Sequence, residues 1–256
     1  MLNVLRPKIA NRLKQSSGAG IVALALVAVV LGLSAPPAKA QSQAGGADPA
    51  ASGAGRPSSG PSRTSAASFA GESASTDARA IADWVARVKD NQGMPFIIVD
   101  KKNTKVFVFD GEANLLGATS ALIGLARGDE SAPGVGDKKL SSIRPNERTT
   151  AAGRFVASLG QDLSDQDVLW VDYKAALALH RVLSRNSKEA RLQRMASGIA
   201  NDHRITFGCI DVPVIFYDRI VHPSFAESNG VVYILPEEKS LSAVFPMASV
   251  WSKATT

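Results

Sequence analysis

The sequence has very little of the residue types that most often carry chemistry. Its 256 residues include one cysteine and three histidines, and aromatic residues make up 6% of the chain. A single cysteine excludes an internal disulfide framework, and one cysteine with three scattered histidines forms no recognisable metal-ligand cluster. We therefore expect no metal site. Any thiol chemistry must use Cys209, and any thiol–imidazole pair must include His180, His203 or His222.

The first 40 residues have the three-part pattern of a secretory signal. Basic residues between Arg6 and Lys14 precede an uncharged apolar run from Gly20 to Ala35, and the small-residue site "AKA" ends at Ala40. This order predicts a signal peptide over residues 1–40, cleavage after Ala40, and export to the periplasm or cell envelope. The alternative is a membrane anchor, because the apolar run is close to the length that crosses a bilayer.

Export would remove most of the charge surplus. The whole chain has a formal charge of +6, but beyond residue 40 it has 24 Lys and Arg against 23 Asp and Glu, a charge of +1. Nucleic-acid binding needs a surplus of basic residues, so we expect no nucleic-acid partner. In an oxidising compartment, an unpaired cysteine is a reactive thiol, half of an intermolecular disulfide, or a buried small hydrophobe.

Composition divides the exported chain into three parts. Residues 41–76 are rich in Ala, Gly, Ser and Pro and have almost no large apolar side chains, which predicts a disordered linker. The apolar residues Ile81, Trp84, Val85 and Val88 share one helical face and mark the start of the folded domain, which we place at residues 77–237. Residues 238–256 are then a C-terminal tail.

The folded part has the pattern of a β-rich α+β domain. Short runs with high strand propensity are bounded by turn residues, which predicts strands at 95–100, 105–110, 167–173, 176–180 and 230–236. Residues 126–147 form a Gly-, Ser- and Pro-rich loop of a length that often lines a site. We also expect one helix over residues 187–199, and another after Cys209 with Asp211 as its N-cap.

Of the three histidines, His180 is the best placed to pair with Cys209. It ends an apolar strand, where a side chain is held rigidly at the rim of a sheet. His203 lies in a polar stretch and is expected to be solvated, and His222 precedes Pro223 in an expected surface turn. An imidazole beside a thiol lowers the thiol pKa and yields a thiolate nucleophile with an imidazolium acid.

Two motifs resemble those of the L,D-transpeptidase catalytic domain family. The family motif is a His, a spacer, then Ser/Thr-His-Gly-Cys-apolar-Asn/Arg, with Thr-Pro-x-Gly-x-Phe upstream. The matching positions in this chain are His180, Thr206, Gly208 and Cys209, with Thr150, Gly153 and Phe155 upstream. The resemblance spans about residues 95–236 and implies a β-sandwich of two mixed sheets with peripheral helices.

Three positions depart from the family pattern. Phe207 replaces the second histidine, Asp211 stands where Asn or Arg is usual, and Ala151 stands for the proline. The spacer between His180 and Cys209 is also longer than usual, and we attribute the excess to an inserted helix. Because the nucleophile and its base are both present, we interpret the chain as a divergent member with activity.

The resemblance implies a peptidoglycan L,D-transpeptidase. Cys209, deprotonated by His180, would attack the third residue of a stem peptide and expel the terminal D-alanine, and an acceptor amine would resolve the thioester into a crosslink. Gly208 and Thr206 would belong to the oxyanion motif, and Thr150 and Gly153 to a substrate loop. The implied partners are stem peptides, without cofactor or metal, for a monomer peripheral to the cell wall.

Two alternatives remain open at this point. If water resolves the thioester, the protein is an L,D-carboxypeptidase or a related murein hydrolase. If Phe207 and Asp211 abolish activity, it is a non-catalytic wall-associated protein with the same fold. The sequence does not separate these outcomes.

Overall fold

The computed structural model describes residues 66–184 and 186–248. The predicted signal peptide, most of the predicted linker and the end of the predicted tail lie outside the described residues. Within the described ranges, no helix is both long enough and apolar enough to cross a membrane.

The described chain is built mainly from short strands. The strands are β1 (Phe96–Asp100), β2 (Lys105–Phe109), β3 (Leu115–Ser120), β4 (Ile123–Gly124), β5 (Gly153–Gln161), β6 (Asp167–Asp172), β7 (Leu177–Arg181), β8 (Arg204–Thr206), β9 (Ile210–Val212) and β10 (Gly230–Ile234). The α-helices are α1 (Thr76–Val88), α2 (Arg191–Met195), α3 (Val214–Phe216), α4 (His222–Phe225) and α5 (Leu241–Val244). A π-helical turn, Tyr217–Val221, joins α3 to α4.

Eight strands form one mixed sheet in the order β3-β2-β1-β10-β5-β6-β7-β9, and β4 pairs with β8 in a separate two-stranded sheet. The β1–β10 and β7–β9 pairs are parallel, and the other pairs of the large sheet are antiparallel. Every residue of β10 is buried, because this central strand is covered on both faces. This explains why its sequence is a continuous apolar run without polar alternation.

The large sheet nearly closes on itself. Leu122, just after the edge strand β3, donates to and accepts from the backbone of Asp211 in the opposite edge strand β9, at 2.9 Å in each direction. Val106 of β2 and Leu179 of β7, from opposite halves of the sheet, lie in the same buried core. The predicted sandwich of two packed sheets is not confirmed, because the β10–β5 ladder continues hydrogen bonding from one half into the other.

The helix predicted at the start of the domain is confirmed. The Ser75 hydroxyl accepts from the Ala78 N–H at 3.1 Å, and α1 ends at Lys89, whose φ of 56° is left-handed. Ile81 and Trp84 bury the apolar face of α1 on the outer side of the sheet. The helix therefore covers the face of the sheet that is turned away from the inner core.

Packing extends beyond both predicted domain boundaries. Phe69 is 5% exposed and makes edge-on contacts with the rings of Phe107 and Phe109, at centroid distances of 5.3 and 5.2 Å. At the other end, Phe245 and Ala248 are buried in the same core. The packed chain thus begins before the boundary predicted at residue 76 and continues past residue 237. The predicted boundaries are too narrow because isolated apolar residues leave no periodic pattern in the sequence.

Both helices predicted near the cysteine differ from the structure. Residues 187–199 do not form one helix: a 3-10 turn, Ser187–Glu189, is separated from α2 by Ala190, whose φ of 47° breaks the helical path. Asp211 is not an N-cap, because it lies in β9 with its backbone paired to Leu122. The following helix begins only at Val214.

Candidate active site

Cys209 lies in the short turn between β8 and β9. Its side chain is half-buried and packs against Val168, Trp170 and Ala178, and its Sγ donates to the Ala176 carbonyl oxygen at 3.6 Å. The thiol is therefore neither fully enclosed in the core nor part of an exposed loop. It is held at the boundary between core and solvent, where a nucleophile is both oriented and reachable.

The turn that presents Cys209 is fixed by two threonines. The Thr206 hydroxyl donates to the Cys209 carbonyl at 2.6 Å and accepts from the Gly208 N–H at 3.2 Å. The Thr150 hydroxyl donates to the Gly208 carbonyl at 2.7 Å. Thr206 and Thr150 are both 2% exposed, so they hold the turn from its buried side and do not face solvent.

Glycine is required at position 208 for two reasons. Its φ is +127°, which side chains with a Cβ rarely adopt, and a Cβ there would lie 2.9 Å from the Thr149 carbonyl oxygen. The Gly208 N–H is already bonded to Thr206, so it is not available to an oxyanion. The expectation that Gly208 serves the oxyanion through its N–H is therefore not met, and the neighbouring N–H is that of Cys209.

His180 is brought to Cys209 by the pairing of β7 with β9, in which it stands opposite Asp211. Its Nδ1 donates to the Arg181 carbonyl oxygen at 2.9 Å, and its Nε2 is 3.4 Å from Asp211 Oδ1. Burial alone would lower the pKa of His180, but the Asp211 carboxylate and the neighbouring Cys209 raise it to about 10. The imidazole is thus positively charged at neutral pH.

The other two histidines lie elsewhere. His203 is 3% exposed, with its Nδ1 2.6 Å from the Thr104 hydroxyl and its Nε2 3.0 Å from the Ser197 carbonyl oxygen. The prediction that it is solvated was wrong, because these two partners satisfy the ring inside the protein. His222 is partly exposed at the start of α4 and faces Asp167 at 3.8 Å.

Cys209 opens onto a pocket under the long loop of residues 126–147. The pocket has a volume of about 340 Å³ including space open to solvent, and it is lined by Val135, Gly136, Lys138, Leu140, Ile143, Ala175, Ala176, Phe207 and Cys209. The loop contributes five of these residues, which agrees with the prediction that it lines a site. Gly153, predicted to belong to a substrate loop, does not line the pocket but begins β5 beside Ile234.

Phe207 cannot form a side-chain hydrogen bond, and its ring instead contacts a cationic side chain. The Arg148 guanidinium lies over its ring, 4.0 Å from the centroid, and donates to the Ile143 carbonyl. The aromatic ring therefore connects the turn of Cys209 to the end of the pocket loop through a cation–π contact.

Sequence reasoning did not identify the role of Asp211 at the site, and it missed Arg191. Asp211 is fully buried and accepts a hydrogen bond from Arg191 at 2.5 Å on the oxygen that does not face His180. Burial raises the pKa of Asp211, and the charges of His180 and Arg191 oppose that effect. Asp211 was detectable in principle, since alternate residues of a strand share a face and it follows Cys209 by two positions. Arg191 had no comparable signal.

The described residues hold no group of three His, Cys, Asp or Glu side chains placed to bind a metal ion. No protein-family model matches the chain, and its sequence matches no curated protein.

Two solved structures match parts of the chain with low TM-scores and low sequence identity. One is a fused Zn-dependent amidase/peptidase/peptidoglycan-binding domain-containing protein from Clostridium acetobutylicum, with 15% identity over 59% of this chain and 56% of that one, and a TM-score of 0.31. The other is the helical cell shape determining protein Pgp2 from Campylobacter jejuni, with 11% identity, coverage of 70% and 64%, and a TM-score of 0.39. The chain spans less than two thirds of the length of either structure.

Proposed function

We propose that the protein is a peptidoglycan L,D-transpeptidase that acts in the cell envelope through a cysteine acyl-enzyme. The observation that carries the proposal is the pairing of β7 with β9, which places His180 opposite Asp211, two positions after Cys209, whose thiol lines the pocket. The resemblance of the "TFGC" and "TAAGRF" segments to the family motifs supplies the substrate class.

The electrostatics of the site support a charged imidazolium on His180. Because the pKa of His180 is raised to about 10, its ring carries a proton at neutral pH. In this state His180 already holds the proton that a leaving group needs. Its first catalytic role is then that of a general acid, while its role as a base belongs to the second half of the cycle.

In the first step, the Cys209 thiolate attacks the carbonyl carbon of the third stem residue and forms a C–S bond. The C–N bond to the terminal D-alanine breaks, and its nitrogen takes the proton from the His180 imidazolium. In the second step, an amine from a neighbouring stem attacks the thioester and passes its proton to the neutral imidazole. Cleavage of the C–S bond releases the crosslinked product and restores the thiolate.

The turn around Cys209 supplies one candidate oxyanion donor. Because the Gly208 N–H is bonded to Thr206, the Cys209 N–H is the group that would face the developing negative charge. The rigid hold of Thr206 and Thr150 on this turn keeps that N–H fixed before substrate binds.

Hydrolysis is the second candidate function. Because Cys209 is only half-buried, water can reach the thioester, and water as acceptor would make the protein an L,D-carboxypeptidase. A non-catalytic wall-associated protein would need no thiol–imidazole coupling, so the geometry favours an enzyme over that alternative.

Mass spectrometry with isolated tetrapeptide muropeptides tests the proposal. We expect a thioester adduct on Cys209 with loss of D-alanine, followed by crosslinked product. Cys209→Ala should give no adduct, His180→Ala should slow its formation at least about a hundredfold, and the exposed His222→Ala serves as the matched control. Tripeptide without crosslinks would select hydrolysis, and a folded wild-type protein that forms no adduct would contradict the enzyme proposal.

A further inference from the structure

Asp211 is a buried carboxylate between two cationic side chains. Its side chain is 1% exposed, its Oδ2 accepts from Arg191 Nη1 at 2.5 Å, and its Oδ1 lies 3.4 Å from His180 Nε2. Within the described residues, Oδ1 has no hydrogen-bond partner. A buried carboxylate with one unpaired oxygen is costly unless a nearby cation balances it, and His180 is the cation on that side.

The orientation of the His180 ring also indicates that His180 is the cation that balances Asp211. Because Nδ1 donates to the Arg181 carbonyl, Nε2 is the nitrogen directed at Asp211, and it carries a proton only in the imidazolium form. The guanidinium of Arg181 is occupied with Asp167 and Asp218, so it does not compete for Asp211. Burial favours the neutral ring, and the Asp211 carboxylate is the anion that offsets it.

Arg191 comes from the segment that lengthens the spacer between His180 and Cys209. Its side chain is 13% exposed and is held by Glu189, whose carboxylate accepts from Nε at 2.5 Å. This second contact fixes the guanidinium, which in turn holds Oδ2 of Asp211 and leaves Oδ1 toward His180. The extra residues therefore reach Asp211 through the side chain of Arg191.

We propose that Asp211 is a positioning residue that keeps His180 in the imidazolium form beside Cys209, and that Arg191 holds Asp211 in place. The inference rests on the proposed function for the reaction served, but the arrangement itself is testable without substrate.

Alkylation of Cys209 by iodoacetamide at pH 6 and pH 9 tests the role of Asp211. Without the carboxylate, we expect the His180 ring to become neutral, and a neutral imidazole favours the thiolate form of a neighbouring thiol less than an imidazolium does. Asp211→Asn should therefore slow alkylation at pH 6 about tenfold, with a much smaller effect at pH 9, where an ordinary thiol is largely ionised. A merely structural defect would change the access of iodoacetamide to Cys209 at both pH values. The ratio of the two rates cancels such a change.

A double variant tests whether Arg191 acts through Asp211. Arg191→Gln should lower the rate ratio in the same direction, and the double variant Asp211→Asn/Arg191→Gln should match Asp211→Asn alone, because Arg191 acts only through Asp211. Arg194→Gln is the matched control, since Arg194 lies on the same helix but bonds to the carbonyls of Glu189 and Asp202.

An unchanged rate ratio in Asp211→Asn would overturn the proposal, and an equal loss in Arg194→Gln would overturn the part that concerns Arg191. If the variants fail to fold, NMR titration of the His180 ring in the wild-type protein decides: a charged ring at pH 8 supports the inference, and a neutral ring at pH 7 refutes it. A protein with the expected rate ratio but no activity on muropeptides would contradict the proposed function and leave this inference standing.

Discussion

The Thr150 hydroxyl donates to the Gly208 carbonyl oxygen at 2.7 Å, across 58 positions of sequence. The same hydroxyl accepts from the Gly124 N–H at 2.9 Å, so one side chain joins β4, the start of β5 and the turn before Cys209. Thr150 was predicted to belong to a substrate loop, and the structure places it beneath the turn that carries Cys209. Its contribution to activity would be the rigidity of that turn.

Replacing Thr150 with valine keeps the shape and removes the hydroxyl. Two buried backbone groups then lose their partners, so we expect a loss of about 3 kcal/mol in unfolding free energy. Urea denaturation measures the unfolding free energy. Thr149→Val is the control, because the hydroxyl of Thr149 makes neither of the two contacts. Equal stability of the two variants would show that the Thr150 hydrogen bonds contribute little.

Gly208→Ala should disable the turn through both backbone strain and collision. Its φ is +127° and the added Cβ would lie 2.9 Å from the Thr149 carbonyl, whereas Gly134 has φ +66° with nothing near its Cβ position. We expect Gly134→Ala to cost about 1 kcal/mol and Gly208→Ala at least about twice that, with loss of thioester formation. Thermal unfolding and the muropeptide assay measure the two effects. A Gly208→Ala variant with wild-type activity would show that the turn tolerates displacement.

The buried pair of Lys101 and Asp129 should make stability sensitive to acid. Burial alone would raise the pKa of Asp129, but hydrogen bonds from Lys101 and from the N–H groups of Lys239 and Glu237 lower it to about 2. A depressed carboxylate pKa stabilises the fold above the unfolded value near 4, and the effect is lost as pH falls through 2. We expect a loss of about 2 kcal/mol over this window.

Urea unfolding from pH 2 to pH 6 measures this acid sensitivity. The variant Asp129→Asn should be less stable than the wild type at pH 6 and should show a flatter dependence on pH. Parallel pH profiles for the two proteins would assign the acid sensitivity to other carboxylates.

His180 should make stability sensitive to alkali, with the opposite sign. Its folded pKa of about 10 lies above the ordinary value of 6.5, so its contribution is fully present below 6.5 and is lost as pH rises through 10. The unfolding free energy of wild type should therefore fall between pH 7 and pH 10, and that of His180→Gln should fall less. His222→Gln should follow the wild type, and a wild-type profile that stays level would argue against a charged His180.

Local patterns in the sequence predict the elements well and their assembly less well. The i, i+3, i+4 spacing around Trp84 identifies α1 because it reflects one buried face, and the apolar run from Val106 to Phe109 identifies β2, which is buried on both faces. Closure of the sheet depends on the pairing of Leu122 with Asp211, which are far apart in sequence and leave no periodic signal. The expectation of two packed sheets is therefore not confirmed, because long-range pairing decides how the strands assemble.

The same distinction applies to the site. The sequence singles out Cys209 and His180 because the chain has so few alternatives for a thiol and an imidazole. It does not reveal that His203 is enclosed, because its partners Thr104 and Ser197 come from separate segments. Asp211 was interpreted as a helix cap because its local context, followed by Pro213, is typical of one. Tertiary pairing overrode that local preference.

The backbone of Asp211 also has a consequence for self-association. Exposed sheet edges recruit strands from other molecules, and closed or covered edges prevent this. By bonding to Leu122 in both directions, Asp211 occupies one edge of the eight-stranded sheet while its side chain faces His180. A substitution that displaces Asp211 would expose the backbone of both β9 and the segment around Leu122. Aggregation in a concentrated solution would then accompany the loss of activity.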